Sequence, residues 1–506
     1  MTKPKEKAEF GDFQTPAELA ADVAACVRTL SFEPKSILEP TCGEGNILQA
    51  ACEEFPSASF ALGVEISPDY VEKAKIRFAI PKSSTSIKIV NANFFDTNWL
   101  DYFGDLPDPI LVIGNPPWVT NSELGLLGSE NLPVKSNFHQ MNGFDAKTGK
   151  SNFDISEWIL LRTSQLLENR NAVLAMLCKT SVARKVLRYI WKKGIKINLA
   201  SLFRIDAQYN FGASVDACLL VIRYGEPISL KASVYSSLDS SELEQIIGFN
   251  GGELVASIDE FSSSQHLKSL TKGNWRSGVK HDCSKVMELR VEGQSLINGF
   301  DKEVKIESDY LFPLLKSSDL NKEFVSSPRR WVIVTQQRVG DETKHIQLKA
   351  PRTWDYLCHY SDLLDMRKSS IYSGRSRFSV FGIGDYSFAD WKVAISGLYK
   401  SLSFKVIGPH EGKPVMLDDT CCFLSFDSQE HADYASELLN SDAACKYYSS
   451  KIFWDAKRPI TIELLNSLDM AALELFVNPH GNHIFQMNRQ VTLFANAHYQ
   501  NALNVN

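Results

Sequence analysis

The most distinctive chemistry of the sequence lies in the turn Gly114-Asn115-Pro116-Pro117-Trp118, which follows an apolar run that predicts a short buried strand. Each proline lacks an N–H and has a fixed φ, so the turn is stiff and the carbonyls around it are free to accept hydrogen bonds. The side-chain oxygen of Asn115 and the carbonyl of Pro116 can converge on one amino group, with the flat face of Trp118 beside them. Such a turn suits the exocyclic amine of a planar ring. The alternative is a rigid turn that caps a strand, with Trp118 in the core.

An acidic residue and a glycine turn precede this motif. The strand predicted at 36–39 ends in Glu39, and Gly43-Glu44-Gly45 then leads into a helix. Glycines let the backbone pass close to a ligand, and a carboxylate suits a cationic ligand better than a phosphate. The pattern G-x-G-x-x-G is absent, and so is a Lys-Ser/Thr pair after the second glycine, which excludes a nucleoside triphosphate loop. A plain strand-to-helix turn is the alternative.

The segments that follow repeat strand and helix. A second strand ends in Glu65, where dinucleotide folds place a ribose-binding acid, and a third spans 87–96. This alternation predicts an α/β fold with a doubly wound parallel sheet and a ligand across the strand ends, beside Asn115. Upstream, Thr15 is the expected N-cap of a helix, with Pro16 at its first position.

Together these motifs resemble the class I S-adenosylmethionine-dependent methyltransferases, specifically the N6-adenine DNA methyltransferases, in the gamma order of motifs and over about residues 10–225. The resemblance implies a Rossmann-like methyltransferase domain. The family's cofactor-binding positions fall on Thr15, Pro16, Glu39, Gly43, Gly45, Glu65, Asn93 and Phe94. Its catalytic positions fall on Asn115, Pro116, Pro117 and Trp118.

The resemblance also implies a role for each cofactor position. Glu39 and the glycine turn would hold the methionine end of S-adenosyl-L-methionine, and Glu65 the ribose hydroxyls. Asn93 and Phe94 would read its adenine. Many relatives have Asp at the position of Asn93, so the contact implied here uses the oxygen of an amide.

The reaction that the resemblance implies follows from the chemistry of adenine. Its N6 lone pair is delocalised into the ring, and two acceptors that hold both N–H bonds favour a more tetrahedral nitrogen that can attack the methyl group. The base must be flipped out of the duplex and held by stacking. Trp118 is one stacking surface, and Phe211, on the expected closing hairpin, is the closest match to the family's second. A core phenylalanine explains Phe211 equally well.

Two further segments of the first half have open interpretations. Residues 119–153 are rich in Gly, Ser and Asn and predict a flap over the flipped base, with disorder as the alternative. The basic run from Lys179 to Lys196 is either a solvated helix face or a phosphate-contacting surface.

The second half predicts a mixed α+β target-recognition domain. We expect the methyltransferase domain over 1–226, a connecting region over 227–307 and a DNA-binding domain over 308–506. The last of these interleaves basic residues with aromatics and turn glycines, a composition that suits a surface that reads base edges and grips phosphates. Ordinary surface arginines on a β-rich domain are the alternative.

Composition bounds the remaining expectations. The sequence contains no run of about 18 apolar residues, so no transmembrane helix is predicted. Ten cysteines without a C-x-x-C pair favour a reducing, cytoplasmic compartment, and His480 and His483 lack the flanking ligands of a metal site. The net charge of −6 requires that any nucleic-acid contact come from local basic patches.

We therefore expect a monomeric DNA methyltransferase that uses S-adenosyl-L-methionine, needs no metal and acts on double-stranded DNA, alongside a cognate restriction endonuclease for the same site. Two alternatives stay open. One is an N6-adenine rRNA or protein-glutamine methyltransferase, because these enzymes share the N-P-P-aromatic motif. The other is a DNA-binding specificity protein with an inactive methyltransferase half.

Overall fold

A computed structural model describes residues 14–80, 83–119, 154–271, 273–323, 325, 327–481 and 484–485. The chain divides into two compact units, unit 1 over Met1–Ile258 and unit 2 over Asp259–Asn506. The segment interpreted as a flap lies, from residue 120 to residue 153, outside the described residues.

The described strands of unit 1 form one sheet. They are β1 Ser36–Glu39, β2 Phe60–Glu65, β3 Ser86–Asn91, β4 Ile110–Gly114, β5 Ala172–Lys179, β6 Ile197–Ile205, β7 Ala217–Tyr224, β8 Lys231–Tyr235, β9 Leu243–Asn250 and β10 Glu253–Val255. Their order is β10-β9-β8-β6-β7-β5-β4-β1-β2-β3. Strands β3, β2, β1, β4 and β5 are parallel, and β7 lies antiparallel between β5 and β6.

Helices alternate with these strands. They are α1 Ala17–Arg28, α2 Asn46–Glu54, α3 Pro68–Phe78, α4 Trp99–Asp105, α5 Ile155–Leu166, α6 Thr180–Lys193 and α7 Ala207–Phe211. The predicted α/β fold with a Rossmann-like doubly wound sheet is confirmed by this alternation. The expected cap of α1 is wrong by one residue: Pro16 occupies the N-cap, and no side chain caps the helix there.

The register of the sheet explains why the site forms where it does. Strand β1 pairs with β2 on one side and with β4 on the other, so the direction of winding reverses at β1. Ligands of open α/β sheets bind outside the carboxyl ends of the strands at this switch point. Glu39, Glu65 and Asn115 end or follow β1, β2 and β4, so this edge collects them. Fully buried side chains such as Ile37 and Leu111 fix the strands below.

The sheet continues beyond the expected domain end. Strand β8 pairs in parallel with β6, with Ser233 opposite Ser201, and β9 and β10 follow as antiparallel neighbours. The boundary expected at residue 226 therefore falls inside unit 1, because the hydrogen-bonded ladder passes through it.

Unit 2 is a mixed α+β structure with two described sheets. Its strands are β11 Arg276–Ser277, β12 Glu288–Glu292, β13 Ser295–Ile297, β14 Glu303–Val304, β15 Leu311–Leu315, β16 Arg330–Ile333, β17 Trp391–Ser396, β18 Lys405–Ile407, β19 Met416–Leu417 and β20 Cys421–Phe426. One sheet has the order β11-β20-β17-β18 and the other β14-β13-β12-β16-β15-β19. The boundary expected at 307 runs through the second sheet.

Ten α-helices lie in the described chain from residue 258 onward. They are α8 Ile258–Ser264, α9 Ser284–Met287, α10 Ser317–Leu320, α11 Ile346–Lys349, α12 Pro351–His359, α13 Ser361–Asp365, α14 Gln429–Leu439, α15 Asp442–Ser449, α16 Ile462–Leu465 and α17 Met470–Val477. Close backbone approach joins the elements of unit 2: a Cβ on Gly278 would lie 2.1 Å from the carbonyl oxygen of Leu417.

Candidate active site

The Asn115 turn is tied to the start of α1. The Asn115 Nδ2 donates to Thr15 Oγ1 over 3.2 Å, although the two residues are 100 positions apart. The Thr15 carbonyl in turn accepts from Asn46 Nδ2 at 2.8 Å, on the first residue of α2. Because these contacts engage the donor end of the Asn115 amide, they fix the direction in which its oxygen points.

Trp118 is buried and is held from β5. Its indole Nε1 donates to the carbonyl of Leu177 at 3.4 Å, and its own carbonyl accepts from Lys179 Nζ at 2.9 Å. Its ring lies edge-to-face on Phe211, with centroids 5.1 Å apart and an interplanar angle of 73°. Phe211 ends helix α7, between the strands of the closing hairpin rather than on one of them. The structure thus brings together the two aromatics singled out for base stacking.

The glycine turn is held by Glu65. Glu65 Oε2 accepts from the backbone N–H of Gly43 at 2.9 Å, and Oε1 accepts from that of Ser67 at 2.8 Å. Gly43 and Gly45 have φ values of +51° and +82°, in the left-handed region that disfavours side chains. A Cβ at Gly43 would lie 2.5 Å from Gln14 Oε1, and one at Gly45 would lie 2.9 Å from the ring of Phe78, so neither position has room for a side chain.

Glu39 is a buried carboxyl group at the end of β1. It is 2 % exposed, and its Oε2 accepts from the backbone N–H of Leu48, in the first turn of α2, at 2.9 Å. Burial raises the pKa of Glu39 well above its ordinary value, and the nearby charge of Glu65 adds to this, whereas the Leu48 contact opposes it. A cation beside this carboxyl group would favour its ionised form. The buried Glu39 carboxyl group and the anchored Glu65 carboxylate therefore fit a cationic ligand that carries hydroxyl groups, as S-adenosyl-L-methionine does.

Asn93 lies in the loop after β3, and its side-chain amide is folded back on that loop. Its Oδ1 accepts from the backbone N–H of Phe95 at 3.0 Å, and its Nδ2 donates to Asp96 Oδ2 at 3.0 Å. Phe94 is buried, with its ring centroid 4.7 Å from that of Trp99. The exposed carboxylate of this loop is thus Asp96, which sequence reasoning did not single out.

Lys179 and Asp154 are the other site residues that sequence reasoning missed. Lys179 Nζ forms an ion pair of 2.7 Å with Asp154 Oδ2, in addition to its contact with Trp118. The sequence places Lys179 in a basic run, and the signal that sets it apart is its position as the last residue of β5, the strand beside β4. Elsewhere in that run, Lys185 pairs with Glu157.

The basic residues of unit 2 divide into structural and exposed ones. Arg367 stacks on the ring of Tyr372 at 3.7 Å and donates to the carbonyl of Ser379 at 2.8 Å. Arg338 and Arg377 are exposed and pair with Asp385 and Asp365, and Arg329 and Arg375 are exposed as well. Arg367 is therefore part of the fold, not of a phosphate-contacting surface.

Within the described ranges, no group of three or more His, Cys, Asp or Glu side chains is placed to hold a metal ion. His483 lies outside those ranges. Over the same described residues, no helix combines the length and the apolar character needed to cross a membrane.

Comparison with known proteins gives the family. No family model matches the chain. The type II methyltransferase M.NspV of Nostoc sp. is 44 % identical over 475 residues, which cover 93 % of this chain and 98 % of that protein. The type II methyltransferase M.CvrRI of a Paramecium bursaria Chlorella virus is 32 % identical over 116 residues, covering 23 % of this chain and 26 % of that protein.

Among solved structures, the type IIL restriction-modification enzyme MmeI, in complex with DNA, aligns with a TM-score of 0.54. It is 14 % identical, and the match covers 89 % of this chain and 64 % of MmeI, so it supports the fold. With the near full-length match to M.NspV, the chain belongs to the type II methyltransferases of restriction–modification systems, which use S-adenosyl-L-methionine as methyl donor.

Proposed function

We propose that this chain transfers a methyl group to N6 of a flipped-out adenine in double-stranded DNA and so protects a recognition site from a cognate endonuclease. The observation that carries the proposal is the Asn115-Pro116-Pro117-Trp118 turn, fixed at the carboxyl edge of β4 beside Thr15 and within one sheet edge of Glu39 and Glu65.

The protein's part in the reaction is to bind and orient. The Asn115 side-chain oxygen and the Pro116 carbonyl accept the two hydrogens of the exocyclic amine, which directs its lone pair away from the ring plane. Trp118 and Phe211 hold the base by stacking. The cofactor, when bound, supplies an electrophilic methyl group, and the amine's surplus proton leaves to solvent after transfer.

We assign each cofactor-binding residue to the part of the cofactor that its charge and hydrogen bonding suit. The buried Glu39 carboxyl offers a cation site, the anchored Glu65 carboxylate accepts from hydroxyls, and Gly43 and Gly45 form the tight turn before α2. Pro16 continues from Thr15 at the start of α1, and we assign both to the same pocket. Asn93 and Phe94 are assigned to the adenine end of this pocket.

The DNA partner is proposed on two grounds. The solved structure of MmeI, which shares this fold, contains DNA. Unit 2 also presents exposed arginines, Arg329 and Arg375, that can contact phosphates or guanine edges. We assign to unit 2 the recognition of the target sequence, and we propose a monomer that acts in the reducing cytoplasm, where its ten free cysteines persist.

Nucleoside analysis tests the proposal. Purified protein is incubated with unmethylated genomic DNA and S-adenosyl-L-methionine, and the digested DNA is examined by mass spectrometry. We expect N6-methyladenine and neither N4- nor C5-methylcytosine. Cofactor binding without any methylated base in DNA would refute it, and ribosomal RNA and protein glutamine would then be tested as acceptors.

A further inference from the structure

Lys179 links strand β5 to the Asn115 turn and to the start of α5. As the last residue of β5, it donates from Nζ to the carbonyl of Trp118 at 2.9 Å and forms the 2.7 Å ion pair with Asp154. The Lys179 side chain is 22 % exposed and that of Asp154 only 8 %. An ion pair so shielded from solvent is held more firmly than an exposed surface pair.

Asp154, the ion-pair partner of Lys179, is itself held in place by hydrogen bonds. Asp154 is the N-cap of α5, and its Oδ1 accepts from the backbone N–H of Ser156 at 3.1 Å and from the Ser156 hydroxyl at 2.5 Å. The next backbone N–H, that of Ile155, donates to the carbonyl of Val119 at 2.9 Å. The chain directly after Trp118 is therefore bound to the same helix start.

Strand β5 holds Trp118 through alternate residues. Leu177 accepts from the indole N–H, and Lys179 donates to the main-chain carbonyl, so both ends of the tryptophan are fixed by one strand. The two Trp118 contacts and the Asp154 ion pair leave little freedom for the ring against which the target base would stack.

We propose that Lys179 is a positioning residue for methyl transfer: with Asp154 it clamps the Trp118 main chain and so sets the position of the stacking ring. This inference rests on the proposed function. A small displacement of a positioning surface costs about 10²-fold in rate, because the reacting atoms leave their aligned geometry. Cofactor binding, which uses Glu39 and Glu65, does not depend on the clamp.

The test compares Lys179→Met, Lys179→Arg and Asp154→Asn with Lys316→Met. Lys316 is a matched control, since it is 27 % exposed and pairs at 2.6 Å with Glu288, which is 12 % exposed, in unit 2. Lys179→Met removes the charge and the donor but keeps the length of the side chain. Lys179→Arg restores both.

We expect Lys179→Met to lower kcat for methyl transfer to DNA about 10²-fold, with the Kd for S-adenosyl-L-methionine within twofold of wild type. Lys179→Arg recovers most of the rate. The double variant Lys179→Met/Asp154→Asn is no slower than Lys179→Met, because both changes break one unit. Lys316→Met keeps the wild-type rate.

Hydrogen exchange gives a readout that needs no turnover. Lys179→Met should speed exchange at the Ile155 amide, which donates to Val119, and Lys316→Met should not. Wild-type kcat in Lys179→Met, or unchanged Ile155 exchange, overturns the clamp. Absence of methyl transfer by the wild-type protein refutes the proposed function instead, and the Ile155 exchange then still decides whether the clamp exists.

Discussion

Replacing Phe211 by alanine removes one half of the aromatic pair that it forms with Trp118. The two ring centroids lie 5.1 Å apart, edge-to-face, so the rings touch each other when no base is present. Bases stack about 3.4 Å apart, and a base held between two rings therefore needs about 7 Å. Under the proposed function, entry of the base separates Phe211 from Trp118, and stacking of the base on both rings then replaces their mutual contact.

The magnitude follows from the stacking free energy. One base–aromatic stack contributes about 1–3 kcal/mol by alanine substitution. At 1.36 kcal/mol per factor of ten, Phe211→Ala should lower kcat/KM for DNA by about 5- to 150-fold. Phe211 is only partly buried, so the loss in unfolding free energy should stay below the 3–5 kcal/mol typical of a core Phe→Ala change.

Steady-state methyl transfer to DNA, with the cofactor Kd measured by calorimetry, provides the assay. Tyr209→Ala is the matched control, because Tyr209 lies on the same helix α7 and is 81 % exposed. Phe211→Tyr retains a stacking face and should keep most of the activity. The reasoning is refuted if Phe211→Ala stays within twofold of wild type, or if Tyr209→Ala causes the larger loss.

Three further substitutions have expected outcomes. Glu65→Gln turns one acceptor of the Gly43 and Ser67 amides into a donor and loses a charge-assisted hydrogen bond of about 1.5–3 kcal/mol, so calorimetry should show cofactor affinity at least about tenfold weaker. Burial raises the pKa of Glu39, so the folded state loses stability as the pH rises above the ordinary pKa of a glutamate, where the unfolded chain ionises first. Glu39→Gln removes this cost, so the variant should melt no lower than wild type at pH 7.5, yet it should bind the cofactor more weakly. Burial opposes ionisation of Glu307, but hydrogen bonds from the start of α12 outweigh burial and lower the pKa of Glu307 to about 2. The ionised Glu307 therefore stabilises the fold above the ordinary pKa of a glutamate, and this stabilisation is lost as the pH falls towards 2. Thr353→Val removes one of these hydrogen bonds and should move acid unfolding to higher pH.

The catalytic edge could be predicted from the sequence because its signals are local. Apolar runs that end in Glu39, Glu65 and Asn115 predict parallel strands, and parallel strands align their carboxyl ends. The tight turn at Gly43 and Gly45 could also be predicted, because the left-handed φ values of these residues favour glycine, which has no Cβ.

The contacts that complete the edge could not be predicted, because they depend on side-chain geometry between distant segments. The bond from Asn115 to Thr15 spans 100 residues, and the Lys179–Asp154 pair joins the end of a strand to the start of a helix. Asn93 shows the same limit: its type predicts an acceptor for adenine, but its oxygen accepts from Phe95 in its own loop.

The end of the first domain could not be predicted from the sequence. Gly225-Glu226-Pro227 looks like the end of a domain because the periodic pattern stops there, yet β8 rejoins the sheet beside β6. Strands β8 to β10, at one end of the sheet, have short and partly polar sequences, which do not distinguish the end of a sheet from a connecting region.

Asn115→Ala tests most directly the proposal that the Asn115 turn activates an adenine amine. The variant and the wild-type protein are each mixed in excess with unmethylated DNA and S-adenosyl-L-methionine, and N6-methyladenine is followed by mass spectrometry over a single turnover. Calorimetry measures the cofactor Kd of both. We predict that wild type forms N6-methyladenine and that Asn115→Ala binds the cofactor but forms none. N6-methyladenine produced by Asn115→Ala at the wild-type rate would contradict the account.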